Sequence, residues 1–168
     1  PLTKDSPLAD YGGPDNLLEC SERYVEGVAS LNAANVYMLR RVADYCEQSG
    51  NTARAQALRA KADKLLPFVM ALYKPGEGVW NARDKAGKEV SSRHCFDYIM
   101  TGQALENDLT PTMKTEMTGF VEQELLTKTW MRAMSLKDPA AAHSDRPDHG
   151  PMGSYDGWPP LTMDVMCR

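Results

Sequence analysis

Two helix-period runs separated by only four residues constrain this chain more than any other feature. Val28, Leu31, Met38, Leu39, Val42, Tyr45 and Cys46 recur at three- and four-residue steps, the spacing that lines up apolar side chains on one helix face. Gly50 supplies a C-terminal stop. Asn51 or Thr52 then caps a second run, whose buried face is expected to carry Ala57, Leu58, Leu65, Leu66, Val69 and Leu72. A connection limited to Ser49–Thr52 cannot cross to a distant site, so the two helices must fold back as an antiparallel αα-hairpin. Pro67 lies inside the second pattern and predicts a kink or a division there.

Similar punctuation divides the rest of the chain. The first fourteen residues, rich in Pro, Gly and Asp, read as loop, and Asp15 or Asn16 is placed to cap a short helix ending near Glu22. Gly27 interrupts that run before the first long helix. Gly78–Arg83 and Lys88–Ser91 flank Asp84-Lys85-Ala86-Gly87 and predict a small β-hairpin near 78–91, an excursion on a helical scaffold. A third helix is expected from about Ser92 to Leu105. Thr110-Pro111, a cap followed by proline, opens a fourth that carries Met113, Met117, Phe120, Val121 and Leu125 to about Lys128. Ser135 to Gly157 is a long loop, after which Pro159 begins a helix with Leu161, Met163, Val165 and Met166. No stop signal precedes Arg168, so the chain is expected to end inside an element. The fold class is all-α, antiparallel helical hairpins in a single unit spanning 1–168.

Charge and composition remove several classes of function. A net charge of -4 with no basic run argues against a nucleic-acid partner, because phosphate binding needs clustered cations. No apolar stretch approaches the roughly 18–20 residues that span a bilayer, and no membrane partner is expected. No signal peptide is visible, although a chain that starts at Pro1 without Met leaves trimming open. Cys20, Cys46, Cys95 and Cys167 are widely spaced and form no CxxC pair, which disfavours a zinc ribbon or a thioredoxin-like site. Buried thiols are expected, with disulfides open only in a secreted setting.

The chemistry concentrates at Arg146 to Pro160. A structureless connection of roughly 20 residues is too long to be a mere link between helices. This one gathers Arg146, Asp148, His149, Tyr155, Asp156 and Trp158, hydrogen-bonding charges beside flat apolar faces. Such side chains grip a polar, hydroxyl-rich ligand. Asp148, His149, Tyr155, Asp156 and Trp158 are therefore candidate substrate contacts, joined by Arg132 where the chain leaves a helix toward the loop. All but Tyr155 have a structural alternative: Asp148 and His149 as turn caps, Asp156 as a helix N-cap, Trp158 as a packing wedge, Arg132 as the partner of a helix-end carboxylate. The spacing of His143, Asp145, Asp148 and His149 also permits hard or borderline metal ligation. Without cysteine or a second His pair no metal is assigned.

Tyr155-Asp156-Gly157-Trp158-Pro159-Pro160-Leu161 resembles the Gly-Trp-Pro-Pro segment of trehalases, which are six-hairpin (α/α)6-barrel glycoside hydrolases. Their relatives include the processing α-glucosidases and the mannosylglycerate hydrolases. Val28-Ala29-Ser30-Leu31-Asn32-Ala33-Ala34 resembles the family's Val-Asp-Leu-Asn-Ala helix start. The Gly50-Asn51 turn, the Ala-rich second helix and Gly78-Val79-Trp80-Asn81 keep the family's order, so the resemblance covers most of 10–168. It implies a partial (α/α)6 toroid, about a third of a catalytic domain from its C-terminal part. The implied activity is inverting, exo-acting hydrolysis of an α-linked glucoside or similar small conjugate, with the pocket wall at Arg146–Trp158 and no cofactor, although some relatives hold calcium. The nearest counterpart of the family's general acid is Asp10, in Ala9-Asp10-Tyr11-Gly12-Gly13, with Asp15 and Glu19 as rivals. The family's general base is a Glu beyond the Gly-Trp-Pro-Pro segment, past Arg168. Inverting hydrolysis needs two carboxyls about 6.5–9.5 Å apart, so these residues alone are expected to be inactive. Expected partners are a small glycoside or oligosaccharide and the remainder of a catalytic domain, or further copies of the chain. The alternative is a non-catalytic helical binding or scaffold module.

Overall fold

The computed structural model describes residues 1–13, 21, 23–144 and 146–168. The short helix expected near 15–22, the rival acids Asp15 and Glu19, and Cys20 fall outside them, apart from Ser21. The αα-hairpin forms as expected: α1 spans Ala29–Gln48 and α2 spans Thr52–Met70. Gly50 turns the chain at φ +81°. Its N–H bonds to the Glu47 carbonyl while the Asn51 N–H reaches back to Cys46, the paired bonds of a Schellman stop. The Asn51 side chain then accepts from the Arg54 N–H and caps α2. α2 runs unbroken through Pro67, which forfeits only the one bond its missing N–H would have made to Asp63.

The buried face of α1 differs from the expected one. Met38, Val42 and Tyr45 are 55%, 41% and 71% exposed. Ala29, Ser30, Asn32, Ala33, Val36 and Ala43 are buried instead; on α2 the buried residues are Ala55, Leu58, Ala62, Leu65 and Val69, while Ala57 is exposed. The small side chains form their own helical stripe, and they win for a physical reason. Alanine lets two helix axes approach closely and loses no rotamer freedom on burial.

Three strands follow: β1 (Tyr73–Lys74), β2 (Val79–Arg83) and β3 (Glu89–Ser92), antiparallel in the order β1-β2-β3. The expected hairpin is present, with β1 as an unforeseen third member. Trp80 is buried on this sheet with its ring 5.1 Å from Tyr73, edge to face. Gly27 extends the pairing by exchanging two backbone bonds with Arg83. Because β3 and Arg93 stay extended, α3 (Cys95–Ala104) starts later than expected. α4 (Pro111–Phe120) is capped by Thr110 Oγ1 accepting from Met113 N, as the sequence suggested. It opens into a π-helical turn at Val121–Leu125 and ends there, short of Lys128. Met117, Phe120, Val121 and Leu125 enter the core and Met113 is half-buried. α5 (Trp158–Met166) completes five α-helices with one small sheet among the described residues.

Cross-contacts fix how the helices run. Near their starts, Asp97 of α3 accepts from the Ser30 N–H of α1; further along, Arg40 forms a forked pair with Asp108 just past α3. α1 and α3 are therefore parallel. The same holds for α3 and α5, through His94 and Trp158 at their starts and Gln103 and Asp164 toward their ends. α1, α3 and α5 form one parallel layer, with the return helix α2 packed on α1. Of the cysteines, Cys95 is buried, Cys46 half-buried and Cys167 exposed, so the expectation of buried thiols holds fully only for Cys95.

Gly78 joins the sheet to the rest at φ +66°, where a Cβ would overlap the Glu116 carbonyl. Gly76 has a similar φ of +79° but open space around it. Gly78→Ala is expected to cost on the order of 2–3 kcal/mol and Gly76→Ala about 1 kcal/mol, as read by urea denaturation midpoints at constant m.

Candidate functional site

The 135–157 segment is tied down on both sides by backbone. Cys95 N donates to Ala133 and Ser135 N to Arg93, while Ala133 N and Met134 N donate to Gly153 and Gly150. A short extended piece around Met134 thus bridges the start of α3 and the far arm of the loop.

His94 is the centre of that junction. Its Nδ1 accepts from Phe96 N at 3.0 Å and caps α3, and its Nε2 lies 3.1 Å from the His149 carbonyl, to which it donates. Those two partners select the neutral Nε2–H tautomer. Burial drives its pKa down to about 3, which keeps the ring uncharged. The ring meets Trp158 edge-on at 4.8 Å, and Trp158 also meets His149 at 4.7 Å and Tyr155 at 5.8 Å. Trp158 is only 8% exposed, so it packs as a wedge. Tyr155 covers it and remains 54% exposed, presenting an aromatic surface to solvent.

The other sequence-predicted residues are placed less uniformly. Asp148 lies 2.9 Å from His149 Nδ1, an arrangement that holds its carboxyl below the usual range. Arg132 donates to the Pro151 carbonyl and its guanidinium lies 5.0 Å from the exposed Trp130 ring, beside the same loop. Asp156 is exposed; the α5 N-cap is Gly157, and no side chain caps it. Asp10 is elsewhere. Its Oδ2 pairs with Lys85 Nζ at 2.8 Å, at the tip of the β2–β3 hairpin, and its Oδ1 accepts from Gly12 N. Six extended residues, about 20 Å of chain, separate Lys88 of that tip from His94. Lys85, then the Gly12 amide, push the Asp10 carboxyl below its ordinary value, the reverse of what a general acid requires.

Sequence reasoning missed Asp97. It is buried in the first turn of α3, and burial raises its carboxyl to about 7 despite hydrogen bonds from Ser30 and Tyr24. A polar residue at an apolar helix position was the only available signal, and it does not by itself distinguish a core carboxyl from a solvated one. Also missed was Glu124. Burial works to raise its pKa, but hydrogen bonds from Arg93, Ser135 and Lys137 outweigh that and hold it at about 2.

Two of the clefts that lie apart from the loop flank the core of the fold. One of about 320 Å³ runs between α3, α4 and α5, with Tyr98, Leu109, Met117 and Val165 on its walls. Another, of about 770 Å³, is lined by five cations around β3. Neither has a residue of 146–158 on its wall. Comparison with protein-family models, with curated proteins and with solved structures returned no match.

The buried pair sets an expected pH dependence. The folded state keeps a proton on Asp97 that the unfolded chain releases above 3.8, so this residue lowers stability as pH rises from about 4 to 7. His94 acts oppositely below 6.5, where only the unfolded chain takes up a proton. Comparing Asp97→Asn with the parent isolates the first effect. The variant should gain about 2–3 kcal/mol relative to the parent between pH 5 and pH 8, read by denaturant titration at each pH.

Proposed function

We propose that this chain is the carbohydrate-holding part of a helical-hairpin glycoside hydrolase, inverting and exo-acting on a small α-linked glucoside, with Arg146–Trp158 as one wall of the substrate pocket. The observation that carries the reading is Tyr155. It is an exposed ring seated on a buried tryptophan, on a loop pinned by backbone bonds and edged by Asp148, Asp156 and the Arg132–Trp130 pair. A rigid aromatic face beside exposed carboxylates and a guanidinium suits a pyranose, which offers an apolar face of C–H groups and a rim of hydroxyls. The parallel layer of α1, α3 and α5 with a return helix behind it is the local geometry that hairpin-repeat toroids use. That geometry supports the partial (α/α)6 reading.

One observation favours the alternative, a binding module without catalysis. Asp10 is held as an anion by Lys85, and Asp97, which keeps its proton, is sealed in the core. Catalysis at Asp10 would require substrate to displace Lys85.

Titration of trehalose and methyl α-glucoside into the protein, followed by amide NMR shifts, tests the shared part. Shifts should map to Met152–Trp158, and Tyr155→Ala should weaken binding roughly two- to tenfold. Absence of shifts there at saturating sugar would remove the loop from carbohydrate recognition. Turnover of aryl α-glucosides that is lost in Asp10→Asn supports the hydrolase over the module. Sugar binding without turnover is expected of both readings, because the hydrolase reading places its general base outside these residues.

A further inference from the structure

The groove beside β3 has a chemistry of its own. Arg23, Lys74, Lys88, Arg93 and Lys137 line it, with half-buried Val25 and Val90 and the exposed Pro139 between them. These cations concentrate in one cleft of a chain whose net charge is -4. Three carboxylates stand behind them: Asp138 near Arg23, Glu124 against Arg93 and Lys137, and Glu77 against Lys74 and Arg93. The acid on the wall itself, Glu89, accepts hydrogen bonds from Arg83 and Asn81.

Positive hydrogen-bonding capacity is left over. Lys88 forms no ion pair among the described residues. Lys137 is largely exposed and spends one donor on Glu124. Arg23 Nε is a buried donor with no hydrogen-bond partner, 3.6 Å from the nearest Asp138 oxygen. The exposed ammonium groups of Lys88 and Lys137 are the donors on this wall that an external oxyanion can reach. The cleft's volume of about 770 Å³ falls in the range of small-molecule sites, and its apolar patches leave room for more than a bare ion.

The groove is also distinct from the Tyr155 wall. None of the residues that line it belongs to 146–158. His94 faces Trp158, and Arg93 faces the groove.

We propose that this groove binds the oxyanion of an acidic saccharide, a carboxylate or phosphate carried on a small sugar, with Lys88 and Lys137 as the groups that meet the charge. The saccharide part of this inference rests on the carbohydrate reading above; the oxyanion part stands on the groove alone.

The test is amide NMR and calorimetric titration of the whole chain with glucuronate, glucose 6-phosphate, inorganic phosphate and glucose. Glucuronate or glucose 6-phosphate should shift the amides of Val25, Val90, Ser91 and Lys137 and bind at least fivefold tighter than glucose there. Affinity should fall severalfold between 50 and 200 mM salt. Lys88→Gln should weaken it about threefold, and Lys88→Gln with Lys137→Gln more than tenfold, while binding at Met152–Trp158 is unchanged. Tyr155→Ala should do the reverse, so failure of the loop and failure of the groove are separately visible. Equal affinity for glucose, indifference to both lysine changes, or inorganic phosphate binding as tightly as glucose 6-phosphate would each overturn the proposal.

Discussion

The His94 imidazole joins three parts of this structure. One nitrogen caps α3, the other holds the loop through the His149 carbonyl, and the ring edge seats Trp158 at the start of α5. The cap requires the neutral ring. A proton on Nδ1 would set an N–H against the Phe96 N–H and remove the cap, exposing one of the unpaired donors of the helix start. Burial supplies the neutrality by disfavouring the imidazolium, and the backbone bonds around Met134 supply the burial. Asp97, three residues on, is kept uncharged by the same enclosure. The core end of α3 therefore holds two titratable groups that both avoid charge, and local packing rather than an ion pair makes that stable.

The parallel layer determines where those groups meet. Because α1, α3 and α5 run the same way, Ser30, Asp97, His94 and Trp158 gather at one end of the molecule. Ionised pairs such as Arg40 with Asp108 and Arg168 with Glu106 gather at the other. Small residues make the layer possible. Ala29, Ala33 and Ala43 are buried on α1, and Gly102 faces Val165 of α5 at a spacing that a Cβ would violate. The larger apolar residues of α1 are displaced outward as a consequence, leaving Tyr37, Met38, Val42 and Tyr45 exposed on one side.

Punctuation was readable in the sequence, whereas facing was not. Gly50, Asn51, Thr110 and Pro111 act through bonds to neighbours within a few residues, so their effect survives any tertiary context. The α1 face depends on what approaches from 20 or more residues away, and two apolar stripes on one helix look equally plausible until the partner is known. The loop was identified as a unit because its length and composition are local properties. That Trp158 is mostly a wedge while Tyr155 carries the exposed face depends on His94, more than 60 residues earlier in the sequence. Asp97 was invisible for the same reason: its raised pKa comes from burial by distant parts of the chain, against the hydrogen bonds of Ser30 and Tyr24.

The two carboxyls that bear on hydrolysis divide its requirements between them. A general acid must both hold a proton near neutrality and reach the glycosidic oxygen. Asp10 has access, with side-chain exposure beside the hairpin tip, but Lys85 stabilises its ionised form. Asp97 has the proton but no access, since Ser30, Tyr24 and the start of α1 enclose it. Loss of the exposed pair with Lys85 would return the first only toward its ordinary carboxylate value. Opening the second would mean disrupting the junction around His94. Access and proton retention are thus split between two residues, and neither carboxyl as placed meets both requirements of a general acid.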